Sequence, residues 1–211
     1  MTNDNVISSL DIKRQQKIQE DFSHKCSVLK DRLYDMDFLS NKGLGNEIGF
    51  FTFCYDPSLE FRMRSFVNNI CEEADRGVYG ADGVTTRIIH INLYDKLLEI
   101  CEKKRILAAI PKQELKRGSA FTEKQLAKIA TPEAFAEVID YEPHQLGDVL
   151  IITGVGEVYP FLRTHVLLDN LQHRFGDVPV VVMYPGVFSG RDFSLFGRFN
   201  DGNYYRAFDL V

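Results

Sequence analysis

The sequence lacks the cysteine spacing of a metal site. Its four cysteines stand far apart among 211 residues, and none belongs to a CxxC pair or a Cys–His cluster. Structural zinc sites are built from such closely spaced ligands. Cys54 falls in an apolar strand, and Cys71 and Cys101 fall on helices, where cysteine acts as a small hydrophobic residue. We therefore predict no metal and no cofactor.

A phosphate-binding lysine loop is also missing. No GxxxxGK[ST] motif occurs, so the lysine that reaches the β- and γ-phosphates of ATP is absent. Gly154 and Gly156 do follow a strand, as in dinucleotide-binding proteins, but position 159 is Tyr where that fingerprint needs a small residue. We expect both glycines to allow a positive φ or a close backbone approach. No catalytic residue is predicted.

Long apolar runs are absent. No stretch approaches about 20 apolar residues, and the first residues, MTNDNVISSLDIKRQQ, have no signal-peptide core. The sequence thus predicts a cytoplasmic protein with reduced thiols and no membrane association.

Positive charge is scarce overall but concentrated in one segment. The net charge of −5 argues against attraction of the whole protein to DNA. Residues 103–128, however, hold eight basic and two acidic residues, a local balance of +6. Such a segment is either a solvated face between helices or a surface that contacts phosphates. We predict at most a weak, indirect association with DNA.

Apolar strand patterns alternate with helical patterns along the chain. Strands are predicted at 49–55, 87–93, 149–153, 178–184 and 204–211. An apolar stripe from Ile18 to Leu33 predicts a helix before the first strand. This order predicts an α/β fold: a mainly parallel open sheet of about five strands, with helices on both faces and an N-terminal helix. We divide the chain into a helical extension (1–45) and an α/β domain (46–211).

Candidate ligand-binding residues follow two of these strands. Open α/β sheets keep their sites at the carboxyl ends of the strands, where Asp56, Gly154, Gly156 and Arg163 are expected to lie. Asp56 is either a helix N-cap or a metal ligand. A helix is predicted to begin near Pro160. Arg163 on it either forms a salt bridge, with Asp56 or Glu157, or recognises an anion or a partner.

Aromatic residues and arginines alternate between positions 184 and 206. Both residue types concentrate at protein interfaces, although aromatics also stack on single-stranded bases or pack a core. Asp192, Asp201 and Asp209 offset the arginines, which favours a protein partner over nucleic acid. The candidate partner-binding residues are Tyr159, Arg163, Phe188, Arg191 and Phe196.

Several segments resemble one family of proteins. They are GVGEVYPFLRTH (154–165), NLQ (170–172), YPG (184–186) and NYYRAF (203–208), with weaker similarity in FFTFCYDP (50–57) and INLYD (91–95). Together they resemble BrxB, a small component of the BREX systems that exclude bacteriophages. The resemblance implies companion proteins: the phosphatase-like PglZ, the ATPase BrxC and the methyltransferase PglX. It implies no catalytic residues.

Two functional hypotheses follow. The first is a non-enzymatic assembly or regulatory component of a BREX complex that binds a partner such as PglZ. The alternative is a degenerate nucleotide- or nucleic-acid-binding α/β domain with weak or no hydrolase activity.

Overall fold

A parallel sheet forms the centre of the protein. The computed structural model describes residues 9–41, 49–188, 192–200 and 208–210. Its strands are β1 (Phe50–Tyr55), β2 (Gly80–Ala81), β3 (Val84–Thr85), β4 (Arg87–Asn92), β5 (Asp148–Thr153), β6 (Val180–Phe188), β7 (Phe193–Leu195), β8 (Phe199–Asn200) and β9 (Phe208–Asp209). The order β4-β5-β6-β1-β9 is parallel throughout, and β7 and β8 extend antiparallel from the end of β6. The predicted fold class is confirmed.

Helices cover both faces of this sheet. They are α1 (Ser9–Arg32), α2 (Met36–Leu39), α3 (Glu60–Asp75), α4 (Leu93–Lys103), α5 (Ile110–Arg117), α6 (Ser119–Ala127), α7 (Pro132–Ile139), α8 (Val155–Val158) and α9 (Thr164–Leu171). Successive residues of a strand point to opposite faces. Leu150 and Ile152 of β5 accordingly pack with α4, α7 and α9, while Val149 and Ile151 pack with α1 and α3. All four residues are apolar because both faces of the sheet are covered.

The N-terminal helix packs where its apolar stripe predicts. Phe22, Leu29 and Leu33 of α1 are buried, and Ile18 and Cys26 pack against the same cluster. The cluster includes Met63 of α3. The boundary between residues 45 and 46 stays a prediction.

The last helix begins later than predicted. Pro160 does not start it: α9 begins at Thr164, with Arg163 at its N-cap position in an extended conformation. A proline disfavours helical geometry in the residue before it, and Tyr159 is extended at the C-cap of α8. Pro160 therefore ends a short helix that follows Gly154 directly.

Two other elements were not predicted. Gly80–Ala81, in the glycine-rich segment 77–83, pairs with Val84–Thr85 in a small antiparallel hairpin. Residues 110–117 form α5, inside the basic segment 103–128 for which the sequence predicted no helix at these positions. No described helix has the length and apolar character needed to span a bilayer.

Candidate functional site

The carboxyl edge of the sheet is the place where α/β proteins bind ligands. The chain leaves β1 for α3 on one face and leaves β5 for α8 on the other, and β6 lies between these strands. Such a divergence opens a crevice at the strand ends. A cavity of about 210 Å³ occupies this position, lined by residues that include Tyr55, Pro57, Arg64, Gly154, Glu157 and Phe196.

An ion-pair network within the protein crosses this crevice. The Arg64 guanidinium donates to Glu60 Oε1 and to Glu157 Oε1, both at 2.8 Å. Asn92 Nδ2 donates to Glu157 Oε2 at 3.2 Å, and the Tyr55 hydroxyl donates to Glu60 at 2.5 Å. The hydrogen bond with Glu60 is the main cause that raises the pKa of Arg64. The sequence left Glu157 as a possible salt-bridge partner of Arg163. In the structure Glu157 pairs with Arg64 instead.

The two glycines beside the crevice serve contacts within the protein. Gly154 has a φ of +80°, and a Cβ there would lie 2.7 Å from Asn92 Oδ1 and 3.0 Å from the Leu93 amide nitrogen. A Cβ on Gly156 would lie 2.7 Å from the Phe196 ring. Close approach and positive φ both require glycine. The geometric role expected of both glycines matches these contacts.

Replacing Gly154 with alanine should lower the free energy of unfolding by about 1–3 kcal/mol, because strain from the positive φ adds to the clash with Leu93. Gly77→Ala is the matched control, since Gly77 has a φ of +72° and open space around it. Urea denaturation of both variants measures the difference. An equal loss in the two variants would show that close packing at Gly154 contributes nothing.

Asp56 has the capping role that the sequence allowed. Its Oδ1 accepts from the Ser58 amide at 2.9 Å and from the Ser58 hydroxyl at 2.6 Å, which caps the 3₁₀ turn at Pro57–Leu59. The equivalent cap of α4 is Asn92, whose side chain accepts from the amides of Tyr94 and Asp95. Among the described residues, no three His, Cys, Asp or Glu side chains cluster as metal ligands would.

The thiols are poor candidates for nucleophiles. Burial raises the pKa of Cys26 and of Cys54 to about 12 and that of Cys71 to about 11. The thiolate is the reactive form of cysteine. These three side chains therefore stay protonated at neutral pH and act as packing groups.

A second cavity lies at the start of α9 and carries positive charge. It has a volume of about 290 Å³ and is lined by Val155, Tyr159, Leu162, Arg163, Thr164, Tyr184, Leu195, Arg198 and Phe199. Arg163 and Arg198 are both exposed. The helix N-terminus adds its own partial positive charge. This cavity can therefore accept an anionic or hydrogen-bond-accepting group.

Exposed aromatic rings border that cavity. Phe199 is 47% exposed, and its ring centroid lies 5.2 Å from that of Tyr159 and 6.5 Å from that of Phe196. We call Tyr159, Arg163, Phe196, Arg198 and Phe199 the aromatic–arginine surface.

Three of the five predicted partner-binding residues belong to this surface: Tyr159, Arg163 and Phe196. Phe188 stands apart, since its ring stacks on buried Phe193 at 4.5 Å. Arg191 lies outside the described residues, as does most of the NYYRAF motif. Arg198 and Phe199 lie in the segment 184–206 of alternating aromatic residues and arginines, but neither is among the five partner-binding residues predicted from the sequence.

Comparison with known proteins identifies the family. The family model of BREX protein BrxB matches residues 89–210, from β4 to the end of β9. BREX protein BrxB of Bacillus cereus (strain H3081.97) is 36% identical over 184 residues, which cover 85% of this chain and 92% of that protein. BREX protein BrxB of Escherichia coli O9:H4 (strain HS) is 29% identical over 189 residues, which cover 89% and 90%. No solved structure matches the chain. The chain belongs to the BrxB family.

Proposed function

We propose that this protein is a non-enzymatic assembly component of a BREX phage-defence complex and binds PglZ directly. Membership of the BrxB family supports the system, since both relatives are named BREX proteins. The observation that carries the binding role is the aromatic–arginine surface around its cavity. Arginine and aromatic side chains contribute most of the binding energy at protein interfaces.

The neighbouring crevice supports binding rather than catalysis. Its carboxylates, Glu60 and Glu157, are both held by Arg64. A general base needs an accessible carboxylate placed against a substrate proton, whereas these carboxylates accept hydrogen bonds from the protein. A network of this kind fixes the shape of the edge on which a partner docks.

Exposed apolar side chains extend this edge beyond the cavity. A standard interface buries about 800 Å² on each protein, more than one cavity supplies. Phe61, in the first turn of α3, is 81% exposed, and Tyr94, in the first turn of α4, is also exposed. Both follow carboxyl ends of strands in the same sheet, so they extend the apolar area of this edge.

The alternative function, nucleotide binding, has one observation in its favour. Arg163 and Arg198 together line the cavity at the start of α9, an arrangement that suits a phosphate. Binding of a ligand to the folded state raises the melting temperature. Under the assembly proposal, millimolar ATP, GTP or AMP should leave the melting temperature unchanged.

Affinity purification tests the proposal. The tagged protein is purified from cells that express the complete defence operon, and PglZ should co-elute with it at stoichiometric amount. Reconstitution from the two purified proteins then separates direct from bridged contact. The proposal fails if the proteins elute separately at micromolar concentration while phage resistance still requires this protein.

A further inference from the structure

A basic helical hairpin projects from the α/β body. Residues 103–128, which we call the basic hairpin, contain α5 and α6, joined at Gly118 with a φ of +83°. The ten residues 111–120 are all exposed, α5 buries no side chain, and α6 buries only Thr122. The hairpin is held at its base, where Ile106, Leu107, Ile110, Leu126 and Ile129 pack on the core.

The positive charge of the basic hairpin is largely not neutralised. All eight of its basic residues are exposed, and within the described part of the chain only Lys103 forms an ion pair, with Glu99 at 2.9 Å. The hairpin carries +6, so the rest of the protein carries −11, which is −5 minus +6. Lys112 and Lys116 lie one turn apart on α5, and like charges at that spacing weaken a helix. Lys116 does gain from the helix dipole in the last turn of α5, but Lys112 does not. Helix stability therefore does not explain the pair.

We infer that the basic hairpin is a sequence-independent contact for the phosphate backbone of duplex DNA. Lys112 and Lys116 form one pair of cations, and Lys124 and Lys128, one turn apart at the end of α6, form another. Each pair spans about 6 Å, and a DNA strand carries one charge per ~3.4 Å of helix axis. Two phosphates therefore fall within the reach of each pair.

The composition of the basic hairpin distinguishes this contact from a protein interface. Protein interfaces are depleted in lysine and enriched in aromatic residues. Six of the eight basic residues of the hairpin are lysines: Lys103, Lys104, Lys112, Lys116, Lys124 and Lys128. Its aromatic residue, Phe121, is half-buried under the Arg117 guanidinium at 4.6 Å. Lysine contacts phosphate as a point charge, which requires no particular base sequence.

The inferred contact predicts how strongly the affinity for DNA depends on salt concentration. Each neutralised phosphate contributes about −0.9 to the slope of log K against log salt concentration. The four paired lysines together therefore give a slope of about −3.6. Because the remainder of the protein is acidic, the affinity is low, at the weak end of the 10⁻⁴ to 10⁻⁶ M range of non-specific binding.

Fluorescence anisotropy with a labelled duplex of about 20 base pairs, at salt concentrations from about 50 to 200 mM, tests the inference. Lys112→Glu with Lys116→Glu should weaken binding at least tenfold and reduce the slope to about −1.8. Lys13→Glu with Lys17→Glu on α1, a helix of the opposite sheet face, makes the same charge change and should alter binding less than threefold. Lys124→Glu with Lys128→Glu repeats the test on α6.

Three results would overturn the inference. The first is an equal loss of binding in the α1 and α5 variants, which would indicate net charge alone. The second is loss of binding in the variant Leu115→Ser. Leu115 is 91% exposed and lies in α5 between Lys112 and Lys116, and its side chain would contribute to binding only if the partner were an apolar protein surface or a membrane. The third is tighter binding to polyglutamate or to anionic vesicles than to DNA. None of these results bears on PglZ, whose proposed surface lies elsewhere.

Discussion

Replacing Arg87 with methionine should lower the free energy of unfolding by about 3 kcal/mol at neutral pH. The Arg87 guanidinium makes two hydrogen bonds of 2.7 Å to Asp148, whose side chain is only 1% exposed. The Tyr141 hydroxyl and the Gln145 amide also donate to this carboxylate. Removing one partner of a buried charge typically costs 3–5 kcal/mol. Two donors remain in this variant, so we expect the lower end of that range.

The loss should depend on pH. Burial, the largest influence on Asp148, would raise its pKa, but hydrogen bonds from Arg87, Gln145 and Tyr141 together lower it. A carboxyl whose pKa is depressed in the folded state stabilises the protein above its unfolded pKa of about 3.9. That contribution disappears as the pH falls through the folded pKa. The difference between wild type and variant should therefore shrink below about pH 4.

Urea denaturation at about pH 7 and about pH 3.5 measures both effects. Lys103→Met is the matched control, because it breaks the exposed ion pair with Glu99 and should cost no more than about 1 kcal/mol. If both variants lose the same free energy, or if the loss at Arg87 is unchanged in acid, Asp148 does not have the role described.

The sequence predicted the sheet because its signal is local. The continuous apolar runs that form β1, β5 and β6 follow from burial on both faces, and each can be read without knowledge of its neighbours. The contacts of Asp148, in contrast, cannot be predicted from a local pattern. Its partner Arg87 lies 61 residues away, so a buried carboxylate at a strand start looks like any polar residue beside a loop.

Pro160 illustrates a second limit. A proline suits the first turn of a helix and also ends a preceding one. Pro160 ends a preceding helix only if α8 forms after Gly154. Formation of α8 depends in turn on the packing of Val155 and Val158 in the core. Tertiary contacts, not the local pattern, decide where α9 begins.

The sequence predicted only part of the candidate site, because the rest of the site also depends on tertiary contacts. Tyr159 and Arg163 lie in one segment, and the strand-end rule predicts Arg163 at the carboxyl edge. Arg198 and Phe199 reach the cavity only because β7 folds back antiparallel on β6. Sequence alone does not reveal that pairing, and so it left two of the five residues of the aromatic–arginine surface, Arg198 and Phe199, unassigned.

Reversing both charges of that surface should abolish the complex with PglZ. Interface arginines at hot spots each contribute about 2 kcal/mol or more, and about 1.4 kcal/mol is a tenfold change in affinity. Arg163→Glu with Arg198→Glu should therefore raise the dissociation constant at least 100-fold. The fold should survive, because both residues are exposed and a glutamate at the N-cap of α9 is favoured by the helix dipole.

Isothermal titration of each variant with purified PglZ measures the loss, and urea denaturation confirms that the variant is folded. Lys112→Glu with Lys116→Glu supplies the matched control: it makes the same charge change on the basic hairpin and should bind PglZ as the wild type does. The arginine variant should in turn keep its affinity for duplex DNA within about threefold. Cells that carry the arginine variant should lose phage resistance together with the complex. Wild-type affinity in a folded arginine variant would show that PglZ, if it binds, docks on another surface.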